Sequence, residues 1–142
     1  MLLVSWLSAL PVQGDAMDWY KQLKRPSFTP PGWSFSVVWP ILYVLMTISA
    51  WRIWLLRHNE SVGPALLTFC VQLAINLVWS YLFFGLRSPM LGFAWIIVLL
   101  PLIMLTILQF ERHSRGAAQL LLPYLAWTGF AMVLAYKIWR LN

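Results

Sequence analysis

Five apolar runs alternate with short polar segments along the chain, and the charged residues gather in those segments and at the ends of the runs. Four of the runs, over about residues 34–56, 65–84, 90–110 and 117–139, have roughly the 20 residues a helix needs to cross a bilayer. The first, MLLVSWLSALPV, meets Pro11 and Gly14, with Asp15 and Asp18 following. A run this brief predicts a short or truncated first helix over about residues 1–14. No base precedes it and no small-residue cleavage site follows, which argues against a removable signal peptide. A loop over about residues 15–33 comes next. Gly63-Pro64 opens the third run and Gly85-Leu86-Arg87-Ser88-Pro89 closes it, while Glu111 to Gly116 separate the last two. Pro40 falls near the start of its run, where proline is tolerated, and Pro101 falls mid-run, where a kink is expected. The pattern predicts an all-α integral membrane bundle of five helices, one domain over residues 1–142.

Within these runs the exceptions to the apolar pattern carry the information. Thr68, Gln72, Asn76 and Ser80 recur every four residues and so lie along one side of the third helix. Amides in hydrocarbon need partners, so that side is expected to face the bundle interior, shared with Trp79 and Phe83. Two readings stay open: glue between helices, with Gln72 and Asn76 bonding neighbouring backbones, or the wall of a site for a flat ligand with polar edges. Glue is the commoner use of such a stripe. Trp39 and Tyr43 share a face of the second helix, and Tyr124, Trp127 and Ala131 share a face of the fifth. Aromatic stripes are more often packing than a ligand box, but three of them in one small bundle favour convergence.

Composition agrees with a membrane protein: 61% of residues are hydrophobic, 10% are charged, and the mean hydropathy is +0.74. A net charge of +6 in such a chain reflects bases at span ends, and no nucleic-acid partner is expected. Five spans would put Lys21, Lys24, Arg25, Arg87, Lys137 and Arg140 on one side, and Arg52, Arg57, Arg112 and Arg115 on the other. The excess favours the first of these sides as cytoplasmic. Asp15, Asp18, Glu60, Glu111, His58 and His113 all fall outside the runs, which argues against a proton-coupled pump. The usual haem ligands are thereby missing from the core, and no metal site is predicted. Cys70 reads as a small hydrophobe, and Trp6, Trp51, Trp54, Trp95 and Trp139 read as interfacial or lipid-facing. Val133, Tyr136 and Lys137 or Arg140 fit a loose sterol-contact pattern that is also common at span ends. No internal repeat is evident.

The segment WYKQLKRPSFTPPGWSFSVVWPILY at 19–43 closely resembles the signature of the translocator protein family, the TspO or peripheral-type benzodiazepine receptor family. QLAINLVWSYLFFG at 72–85 and PYLAWTGFA at 123–131 are similar to its other two characteristic stretches, in the same order. The resemblance implies a five-helix bundle, commonly a homodimer, that binds porphyrins such as protoporphyrin IX or haem and requires no cofactor. Sterols and isoquinoline or benzodiazepine ligands are further implied. The loop between the first two helices is implied to be a lid, in which Tyr20 and Trp33 close over the ligand and Lys21, Lys24 and Arg25 face headgroups or propionates. Tyr20, Pro31, Trp39, Asn76, Trp79, Ser80 and Trp127 match pocket positions of the family, and tryptophans matching Trp39 and Trp127 are implicated in light-driven porphyrin degradation in some bacterial members.

The function expected is therefore a membrane receptor or regulator that holds a tetrapyrrole in an aromatic cavity. The alternatives are a light-dependent porphyrin-degrading enzyme using Trp39 and Trp127, or uncoupled transport of tetrapyrrole or sterol. A bacterial membrane is the expected location, read from the compact, tail-free C-terminus, with an organellar membrane as the alternative.

Overall fold

The computed structural model describes residues 33–86 and 88–141, and all the regular structure among them is helical. The expected first helix and lid loop, with Tyr20 and Pro31, fall outside the described residues, as does the side chain of Trp33. Helix α1 spans Trp33–Trp54, α2 Gly63–Ser80, α3 Pro89–Glu111, α4 Arg115–Leu120 and α5 Leu122–Leu141. Among the described residues four segments are long and apolar enough to cross a membrane: Val37–Trp54, Gly63–Phe83, Pro89–Glu111 and, counting α4 and α5 together, Arg115–Leu141.

The boundaries follow from local chemistry. Pro64 sits in the first turn of α2, where a missing N–H costs nothing. The side chains of Ser88 and Ser114 cap α3 and α4, accepting from the N–H groups of Leu91 and Ala117 at 3.2 Å each. α3 runs through Pro101 without a break. The last apolar run, expected as one helix, is divided at Leu121. Pro123, two residues on, has no N–H for the carbonyl of Gln119 and crowds it, so the ladder is interrupted there. α2 ends in a π-helical turn, Tyr81–Gly85, with the Leu86 N–H bonded to the carbonyl of Tyr81 at 2.9 Å.

One end of the bundle is tied together. The Ser49 hydroxyl of α1, fully buried, donates to the carbonyl of Ala117 in α4 at 2.6 Å. Glu60, in the α1–α2 connection, pairs with His113, in the α3–α4 connection, at 3.1 Å. The Arg52 guanidinium rests on Gly116 of α4, in the space a Cβ would take. Because that guanidinium ends a flexible, exposed side chain, it can swing aside. Gly116→Ala is accordingly expected to shift stability by no more than about 0.5 kcal/mol, read as the thermal midpoint in detergent.

Outward faces of the spans carry large apolar side chains such as Ile41, Val44, Leu67, Ile97, Val98 and Leu108, as lipid contact requires. Cys70 is exposed on this outer surface rather than packed inside. Trp51, Trp54 and Trp139 are exposed, as interfacial or lipid-facing tryptophans should be, and the Arg57 guanidinium lies 4.3 Å from the Trp54 ring. Trp95 departs from this group. Half-buried, it donates its indole N–H to the carbonyl of Ile75 at 2.8 Å and so fastens α3 to α2.

Candidate functional site

The four-residue stripe on α2 does turn inward at Gln72, Asn76 and Ser80, all buried. Thr68 does not join them. It is half-buried and its hydroxyl back-bonds to the carbonyl of Pro64 at 3.0 Å. The amides find partners, but these are tyrosine hydroxyls on other spans rather than backbone. Tyr43 of α1 donates to Asn76 Oδ1 at 3.1 Å; Asn76 Nδ2 donates to the Tyr124 hydroxyl of α5 at 2.6 Å; Tyr124 donates to Gln72 Oε1 at 2.8 Å. Four side chains from three spans thus form one directed chain, satisfying polar groups that hydrocarbon could not. Gln72 Nε2 ends it as a buried donor without an acceptor, and the buried hydroxyl of Thr128, one turn beyond Tyr124, is likewise unmatched.

Beside this chain stands a set of aromatic rings. Trp39 lies 5.9 Å from Tyr43 and 6.2 Å from Trp79, both tilted, and Trp79 stacks on Phe83 at 5.5 Å. Trp127 meets Phe130 at 5.5 Å. Trp39 and Trp127 both pack against two buried clusters: one around Tyr43 and Tyr124, the other around Trp79, Phe83 and Ala131. All the described ligand-site candidates from the three aromatic stripes therefore converge between α1, α2 and α5. The Trp79 indole donates to the carbonyl of Gly92 in α3 at 3.1 Å, the counterpart of the Trp95 bond running the other way.

Between α1 and α5 runs an apolar groove of about 460 Å³, lined by Val38, Ile41, Leu42, Leu45, Pro123, Ala126, Trp127 and Phe130. Of these only Trp127 was singled out from the sequence, since apolar groove residues look the same as lipid-facing ones. The sterol-pattern residues lie apart from the ring cluster: Val133, Tyr136, Lys137 and Arg140 are all exposed on α5. Tyr136 and Trp139 both pack on Phe93 of α3, at 5.2 and 6.1 Å.

Residues 1–140 match the family model described as the TspO/MBR family. The chain belongs to the TspO/MBR family. It is 43% identical over 129 residues to the tryptophan-rich protein TspO of Archaeoglobus fulgidus, covering 90% of this chain and 82% of that one. It is 41% identical over 128 residues to the protein of the same name in Chlorobaculum tepidum, covering 87% and 79%. The translocator protein of Sus scrofa is 37% identical over 141 residues, covering 96% and 82%. TspO/MBR membership and the four apolar spans together make this a multi-pass helical membrane protein.

Proposed function

We propose that this TspO/MBR protein binds a flat tetrapyrrole, protoporphyrin IX or haem, among Trp39, Trp79, Phe83 and Trp127. The observation that carries the reading is the convergence of three indoles and a phenyl ring beside a buried polar chain. Stacked rings supply dispersion and area, and such faces take large planar ligands without a metal ligand from the protein. The polar chain sets the spacing of α1, α2 and α5, which holds those rings in place. The apolar groove between α1 and α5 gives Trp127 a face toward the bilayer, from which a lipid-soluble ring would arrive. A bacterial membrane is the proposed location, as the Chlorobaculum tepidum relative is bacterial, and a sterol at the exposed Tyr136 of α5 is a secondary expectation.

The test is a titration of detergent-solubilised protein with protoporphyrin IX in the dark, followed by tryptophan emission. Saturable quenching is expected in the wild type, with weaker binding in Trp39→Phe and Trp127→Phe. Linear quenching, identical in all three proteins, would mean partitioning into the micelle and would defeat the proposal.

A further inference from the structure

Gly92 lies buried on α3 directly across from the stacked pair Trp79 and Phe83. A Cβ at this position would stand 2.5 Å from Phe83 Cδ2 and 3.2 Å from Phe83 Cβ and Cγ. Those atoms belong to a ring and its root, held between Trp79 on one side and α3 on the other, so they have little freedom to retreat. The carbonyl of the same glycine accepts the Trp79 indole N–H. One residue therefore fixes both rings, the first through its oxygen and the second through its bare Cα. Trp79 in turn stands 6.2 Å from Trp39, so its placement propagates across the cluster. The Tyr81–Gly85 π turn contains Phe83, and turns of this type recur where a helix re-aims a side chain at a functional site.

We infer that Gly92 is the positioning residue of the aromatic site: its missing side chain sets how deeply Phe83 and Trp79 sit against α3, and thereby how large a flat ring the site admits. This rests on the reading that the ring cluster binds a planar ligand. A methyl group at position 92 pushes Phe83 off α3 and against Trp79, which is stacked on its other side. A four-ring tetrapyrrole then loses more than a two-ring ligand.

The experiment compares wild type, Gly92→Ala, Phe83→Leu and the double variant. It uses two probes, protoporphyrin IX and an isoquinoline carboxamide, and near-ultraviolet circular dichroism without ligand. Gly92→Ala is expected to change the tryptophan bands of the ligand-free protein and to weaken protoporphyrin binding roughly tenfold, with a smaller loss for the isoquinoline. Adding Phe83→Leu, which shortens the clashing ring, should bring the double variant to within about threefold of Phe83→Leu alone. Should Gly92→Ala fail to fold, a folded double variant upholds the notch, and failure of both overturns it. Unchanged dichroism and unchanged affinities in Gly92→Ala overturn it as well. If protoporphyrin does not bind even the wild type, the tetrapyrrole reading falls, while the ligand-free spectra still decide the role of Gly92.

Discussion

Asn76→Leu is expected to lower the thermal unfolding midpoint in detergent by on the order of 10 °C, the largest stability loss of any single polar change in the core. Asn76 accepts from Tyr43 and donates to Tyr124, so its removal breaks the α1–α2 bond of the chain and leaves Tyr124–Gln72 as its one remaining bond between α2 and α5. Within a membrane the bonds themselves contribute little, about 0.6 kcal/mol on average. The cost comes from what is left behind. The Tyr43 hydroxyl loses its Asn76 acceptor, a loss of about 1–3 kcal/mol for a buried donor, and Tyr124 loses the donor on its oxygen. A total of roughly 2–4 kcal/mol follows. Tyr43→Phe in the Asn76→Leu background removes the hydroxyl that lost this acceptor and should recover part of the loss. Tyr43→Phe in the wild-type background should instead destabilise, because it strands Asn76 Oδ1. The same sign in both backgrounds would mean that the two side chains do not act through one bond.

Trp39→Ala is expected to weaken protoporphyrin IX binding by about 10- to 100-fold, the range that loss of one stacked ring implies. Trp39 is the ring that links α1 to Trp79 and packs on both buried clusters, so its loss opens the wall of the proposed site. Trp51, three turns further along the same helix, supplies the control. It is 58% exposed and is a member of neither cluster, so Trp51→Ala should leave affinity within about twofold of wild type. Equal losses in both variants, measured by the same emission titration, would move the porphyrin from the interior to the lipid-facing surface.

Much of the interior was legible from period and chemistry. The inward turn of Gln72, Asn76 and Ser80 follows from their spacing and from the cost of an unpartnered amide in hydrocarbon. The same spacing explains why Thr68 drops out. Four residues make slightly more than one helical turn, so each step drifts by about 40° and three steps carry Thr68 off the face defined by Ser80. The partners were not legible, because Tyr43 and Tyr124 lie 33 and 48 residues from Asn76 and nothing local ties them to it. Gly92 and Trp95 were missed for a related reason. A glycine near a helix start and a tryptophan near a span end have local explanations, and only the arrival of a second helix reveals the other role. The break at Leu121 could have been read from Pro123, but hydropathy counts an apolar run and ignores the missing N–H.

The binding of α1 to the last span differs along its length. Near Ser49 it is bonded to Ala117 of α4, whereas beside α5 it stands back across the apolar groove. Mechanically the pair resembles a hinged jaw. A force applied at Leu141 would first pull Tyr136 and Trp139 off Phe93 of α3, then load the Tyr124 bonds to α2 as the groove opens, and only last the Ser49 bond and the Glu60–His113 tie at the opposite face. Extraction from that end should therefore part α5 from α3 before it parts α4 from α1.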